Sequence, residues 1–196
     1  MKGLILGLAL AATCTAVQAA PATVFSSRYT DLGKDCKTPA WVEQERLAWE
    51  MKYKGKAYPE QDPEVMECKA VGRWRANIQW SAVGMTLYVG PSKQPQRYAE
   101  DIVVGNRLGE GRSRAPLEWR LANGVPFAVI FRVQQWQDNP RWPDAKGAPQ
   151  FIVTSENIAV RGLGALSGLN AELPAGDPQA NLKARQMADA AFDAAR

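Results

Sequence analysis

Histidine is missing altogether from the 196-residue sequence, and cysteine occurs only three times. Without histidine the commonest general base and metal ligand is gone. Ser-His-Asp and Cys-His nucleophilic centres are excluded, and with the cysteines expected to pair, a zinc site would need carboxylates alone, which is uncommon. No acidic loop with calcium-ligand spacing is present either. No uninterrupted apolar run reaches the roughly 20 residues that a membrane-spanning helix needs. Charge of one sign does not dominate, with 24 basic against 20 acidic residues. That balance is far from the signature of a nucleic-acid binder.

The first residues have the layout of a cleaved export signal. Lys2 supplies a positive start, residues 4–12 are apolar, and Val17-Gln18-Ala19 place compact residues at the cleavage positions. Cleavage is expected after Ala19, because a cut after Ala20 would leave Pro21 at the junction. Cys14 raises a lipoprotein alternative, but Ala11-Ala12-Thr13 is a poor acylation motif. The expected organisation is a signal over residues 1–19 and one domain over residues 20–196. Losing Lys2 leaves 23 basic and 20 acidic residues, a net charge of +3. Two cysteines survive, Cys36 and Cys68, and in an oxidising compartment they are expected to pair. Closing their loop of roughly 33 residues stabilises by about 3–4 kcal/mol in the chain-entropy treatment. The expected location is periplasmic or secreted, with no membrane span, no nucleic-acid partner and no cofactor.

Hydrophobic alternation predicts mostly strands. Residues 20–38 read as an irregular lead-in, and residues 41–53 as a short helix running into a strand. Strands are expected at 65–70, at 74–80, where Trp74, Ala76, Ile78 and Trp80 alternate with polar residues, at 85–89 and, more weakly, at 101–104. Residues 105–114 form a glycine-rich loop containing Arg107, Arg112 and Arg114, a solvated group or a contact for anionic polymers. Asn123-Gly124 marks a hairpin turn. A three-residue loop pairing Leu121 with Val125 gathers Leu117, Trp119, Val125, Phe127, Val129 and Phe131 on one face. Glu118, Arg120 and Arg132 then share the other. Residues 134–149 read as a polar loop, followed by short strands at 151–153 and 158–160 and a connector at 162–168. Asp177 and Pro178 open a terminal helix over about 178–195, with Ala180, Ala184, Met187, Ala191 and Ala195 on one face. The expected fold is α+β, a predominantly antiparallel sheet with this helix packed on it.

Three groups of segments resemble a family of small exported, periplasmic proteins of unknown function from Gram-negative bacteria. They are Tyr29-Thr30-Asp31-Leu32 with Cys36 and later Cys68, Glu118-Trp119-Arg120-Leu121 with Gly124 to Ile130 and Arg132, and Asn181 with Ala184-Arg185-Gln186-Met187-Ala188-Asp189. The likeness spans most of the chain after the signal. Members of that family often carry further cysteines near the late strand and after the terminal helix; here residues 158–164 and 192–196 have none. The resemblance implies export and fold, and no activity.

Paired carboxylates are the one feasible catalytic device. Glu43, Glu45 and Glu50 lie among basic residues and read as an ordinary charged surface. Glu118 and Arg120 are expected to form a structural ion pair, joined by Arg132. Among seven tryptophans, Trp74, Trp80 and Trp119 belong to apolar strand faces. Trp136 and Trp142 flank a polar stretch that includes Arg141, and these three are the candidate ligand contacts, able to stack on a sugar ring or anchor a protein. The competing reading has both rings folding back to cap the core. The functional expectation is a non-catalytic protein that binds an envelope macromolecule, a protein or peptidoglycan. A carboxylate-based glycan hydrolase is one alternative. A periplasmic inhibitor of lysozyme is the other, although a basic chain is not steered to a basic enzyme.

Overall fold

A computed structural model describes residues 22–54, 56, 64–81, 84–92, 107–108, 116–143 and 149–196. The expected signal, the strand at 101–104, Arg112 and Arg114 lie outside the described residues. The chain forms two five-stranded antiparallel sheets and two α-helices among the described residues. The central sheet joins β1 (Phe25–Thr30), β7 (Leu117–Ala122), β8 (Val125–Pro143), β9 (Pro149–Gly162) and β10 (Asn170–Pro174) in that order. The second sheet joins β2 (Cys36–Lys37), β3 (Glu64–Cys68), β4 (Trp74–Ser81), β5 (Gly84–Pro91) and β6 (Arg107–Leu108). Helix α1 spans Ala40–Lys52 and α2 spans Ala180–Ala194. The α+β expectation holds, and so does the C-terminal helix, two residues shorter at its start.

Alternation in β4 does what its pattern demands: Trp74, Ala76 and Ile78 are buried. Opposite them on β5, Val89 and Leu87 are fully buried. These residues meet Leu117, Trp119, Leu121, Val129, Phe131 and Val133 of the central sheet in one core. Cys36 and Cys68 face each other across the β2–β3 ladder and are joined by the expected disulfide. The opposite face of the central sheet packs against α2, in a second core of Ala122, Phe127, Ala128, Ile130, Ile158, Val160 and the helix residues Ala180, Ala184 and Ala188. Phe25, Phe127 and Phe192 meet there in edge-on and tilted contacts, with ring centroids 4.7–5.9 Å apart. The buried stripe of α2 thus steps by four residues through Ala188, and Ala195 is exposed.

Four local expectations are corrected. The lead-in is not irregular, because β1 pairs along β7 from Phe25–Ala122 to Thr30–Leu117. The stretch 41–53 is taken up by α1 (Ala40–Lys52) and holds no strand. Its apolar alternation does not track burial, since Leu47 and Met51 are exposed, Met51 at 74 %. Helical neighbours stabilise it instead: Arg46 bonds Glu43 and Glu50, and Trp49 stacks on Tyr53 at 4.1 Å. The hairpin turn is the two-residue Asn123-Gly124, both with positive φ (49° and 80°), pairing Ala122 with Val125. A bulge then shifts the register, so that Trp119 opposes Val129 and Glu118 opposes Ile130. Phe127 passes to the α2 face and Val125 is left 62 % exposed. Finally, β8 and β9 continue pairing through the stretch expected to be a polar loop, as far as Pro143 and Pro149. The two short strands expected at 151–153 and 158–160 are parts of this single β9.

After β9 the chain turns sharply at Gly162. A Cβ there would lie 1.8 Å from the carbonyl oxygen of Leu166, whereas one on Gly168 would meet nothing within 4 Å. Gly162→Ala is expected to lower the unfolding free energy by about 3 kcal/mol or more, because backbone and not a movable side chain blocks the methyl. Gly168→Ala should stay within about 1 kcal/mol of wild type. Urea midpoints of the two variants check this.

At the start of α2 the carboxylate of Asp177 accepts from Lys183 Nζ at 2.5 Å and from the Gln179 N–H at 2.8 Å. The Lys183 bond first, then the Gln179 N–H, hold its pKa below the ordinary 3.8. A lowered folded-state pKa stabilises the fold above the unfolded value, and that gain disappears as pH falls through the folded one. The stability gap between wild type and Asp177→Asn is therefore at its full size above pH 3.8 and closes below it. Thermal unfolding across that range measures the gap.

Candidate functional site

Alternation along β1, β7 and β8 sends Ser27, Tyr29, Glu118, Arg120 and Arg132 to the side that α2 covers. Glu118 is buried, only 5 % exposed. Arg185 of α2 meets it with Nε on Oε1 at 2.7 Å and Nη2 on Oε2 at 3.0 Å. The Ser27 hydroxyl donates to the same Oε1 at 2.5 Å. One helical turn further on, Asp189 takes both Nε and Nη2 of Arg120, at 2.7 and 2.6 Å. Arg120 Nη1 donates to Ser27 Oγ at 2.8 Å, and Arg185 Nη2 reaches the Tyr29 hydroxyl at 3.0 Å. The result is one connected network: Asp189, Arg120, Ser27, Glu118, Arg185, Tyr29. The hydrogen bond with Glu118 raises the Arg185 pKa above its usual value, against the opposing effect of partial burial.

The expected pair between Glu118 and Arg120 is therefore replaced. Each takes its partner from α2, and Ser27 links them. Arg132 bonds Glu156 at 3.2 Å and does not join Glu118. The sequence reading missed Ser27, Tyr29, Arg185 and Asp189 as members. A signal for the last two existed: opposite charges two apart on a strand match opposite charges four apart on a helix. Those spacings are about 6.7 Å along the strand and about 6 Å along the helix.

Beside this network lies a cleft of about 240 Å³. Ile130 and Ile158 form its floor, and Tyr29, Arg132, Asn181 and Arg185 surround them. Direct cross-strand pairing fixes the floor, since Glu118 faces Ile130 and Arg132 faces Ile158. A second cleft, about 290 Å³, lies beside the disulfide. Four of its charged groups are paired, Lys69 with Asp35 at 3.1 Å and Arg75 with Glu67 at 2.6 Å, and Lys37 also lines it. The Asp31 backbone N–H and then Lys69 hold the Asp35 pKa below its ordinary value. Glu43 and Glu50 lie on α1 as exposed partners of Arg46. No group of three or more metal-ligating residues occurs among the described residues.

Trp136 and Trp142 belong to β8 by backbone, as does Arg141. Their side chains, and that of Arg107, lie outside the described residues. From residue 134 to 139, and again at Pro143 after an irregularity, β8 pairs with β9 and with no other strand among the described residues. This length forms a two-stranded ribbon beyond the five-stranded part of the sheet. No family model matches the chain, and neither a curated protein nor a solved structure matches it.

Removing the two partners of the Glu118–Arg185 pair has unequal consequences. The Glu118 side chain is 7 % exposed and that of Arg185 is 35 % exposed. Arg185→Met strands a buried carboxylate, whereas Glu118→Gln leaves a guanidinium that water reaches. Arg185→Met is expected to cost about 1–3 kcal/mol, below the range for a wholly buried pair because the arginine is half open. Glu118→Gln should cost less than half of that. Equal losses in chemical denaturation would refute the asymmetry.

Proposed function

We propose that this is an exported, non-catalytic protein of the bacterial cell envelope that binds a macromolecule there through the β8–β9 ribbon. The ribbon carries the reading: residues 134–139 pair with 150–156 and Pro143 with Pro149 beyond the sheet; Trp136 lies in the paired part, and Arg141 and Trp142 lie on β8 between Asn139 and Pro143. Aromatic and arginine side chains dominate binding energy at protein interfaces, and tryptophan stacks well on sugar rings. The buried carboxylate, the best-placed candidate acid or base, has both oxygens held by Arg185. That supports binding over hydrolysis. The disulfide supports an oxidising compartment, periplasmic or secreted, in keeping with the export signal and the resemblance to small exported proteins.

Co-sedimentation with purified peptidoglycan and capture of cross-linked envelope proteins test the proposal. Wild type is expected to bind in one of the two assays. The Trp136→Ala, Trp142→Ala double variant, with an unchanged melting temperature, should bind at least about tenfold more weakly, the loss expected for one interface hot spot. Undiminished binding by the double variant removes the ribbon as the site. Peptidoglycan turnover abolished by Glu118→Gln would replace binding with hydrolysis.

A further inference from the structure

We propose that the cleft between β8, β9 and the first turn of α2 binds a small carboxylate with an aliphatic body, about the size of one amino-acid residue. Its floor is apolar: Ile130 and Ile158 are buried within the sheet and border the cleft. Its rim is polar and carries two arginines, Arg185 paired with Glu118 and Arg132 paired with Glu156, each with donors to spare. Arg185 places Nε and Nη2 on Glu118 and Tyr29, which leaves Nη1 without a hydrogen bond to the described residues. Arg132 contributes only Nη1, to Glu156, and its Nε and Nη2 are likewise without a partner among them. The Asn181 amide, also on the rim, makes no side-chain hydrogen bond to the described residues.

Open N–H donors select the ligand. Glu118 borders the cleft, but its bidentate bond to Arg185 neutralises it, so it does not repel a second carboxylate as a free anion would. Arg132 is held by a single contact and retains a donor fork whose geometry suits a carboxylate. Size sets the limit. About 240 Å³ lies just under the ~300–1,000 Å³ typical of pockets for drug-sized ligands. One aliphatic residue with its carboxylate fits that description, either as a free acid or as the last residue of a chain. The described residues that line the cleft are other than 136–142, so substitutions at Arg132 and Asn181 test the cleft, and those at Trp136 and Trp142 test the ribbon.

Titration of the full chain with N-acetyl-leucine, N-acetyl-alanyl-leucine and the amide of the latter, followed calorimetrically and by amide chemical shifts, tests the assignment. Both acids are expected to bind and to shift Ile130, Ile158 and Arg185. The amide should bind at least about tenfold more weakly, the loss of one charge-assisted hydrogen bond. Arg132→Gln should weaken the acids by a similar factor. Asn181→Asp adds a negative charge at the rim and should abolish acid binding without lowering the melting temperature, since a carboxylate in the first turn favours the helix. Tighter binding of the dipeptide than of N-acetyl-leucine assigns the site to a chain end, and the reverse order to a free acid. Equal affinity for acid and amide, no saturable binding of either acid, or full affinity in Arg132→Gln overturns the proposal.

Discussion

The central sheet is covered on both faces where β7 pairs with β8, and this constraint divides the side chains of β7 and of residues 126–133 of β8 between two sides. Leu117, Trp119 and Leu121 go to the core shared with the disulfide-bearing sheet, while Glu118 and Arg120 go to the α2 side. A single continuous register could not serve both the turn and the cores. Asn123-Gly124 favours a two-residue loop, because both positions adopt positive φ. With that loop and no bulge, Val129 would sit opposite Glu118, and Trp119 would face Ala128. The extra residue on β8 resolves the conflict by returning Val129 to Trp119, while Phe127 keeps the α2 side against Phe25 and Phe192.

On the α2 side the contact over the first three turns is made by alanines, which bury little area each, and the larger Phe192 packs only near the end of the helix. The charges add specificity. Arg185 and Asp189 run along α2 in the same sense as Glu118 and Arg120 along β7, and both pairs are bidentate. A slide of one helical turn would set Arg185 against Arg120, or Asp189 against Glu118. Either like-charge meeting in a partly dry interface is strongly unfavourable. Buried ion pairs often contribute little net stability compared with an apolar replacement, and fixing a register is their best-attested use.

Patterns confined to a few residues were legible in the sequence. The period-two run of β4, the turn at Asn123-Gly124, the cysteine pair and the small-residue stripe of α2 all correspond to local geometry. What escaped depends on distant partners. β1 carries Ser27 and Tyr29 on the α2 side; the half-buried Ser27 and the exposed Tyr29 are held there by Glu118, Arg120 and Arg185. Residues 134–143 have a loop's composition, yet cross-strand pairing with β9 carries them as a strand. The partner of Glu118 lies 67 residues away on another element. No spacing rule along β7 alone identifies it, and the neighbouring Arg120 was the obvious but incorrect choice.

The cleft and the ribbon share one geometric origin. A helix of 15 residues is about 22 Å long, whereas a strand of 19 residues extends to about 63 Å. α2 therefore covers only part of β8, and its register is fixed by the two ion pairs. Where its first turn ends the cover, Ile130 and Ile158 border open space and Arg132 stands at the margin. Beyond that margin β8 and β9 pair with no third strand among the described residues and continue as a ribbon. The N-terminal end of α2 also brings the positive end of its dipole to the edge of the cover. Shortening the cover thus creates, from the same strands, an apolar floor under a polar rim with open arginine donors and a self-paired extension next to it.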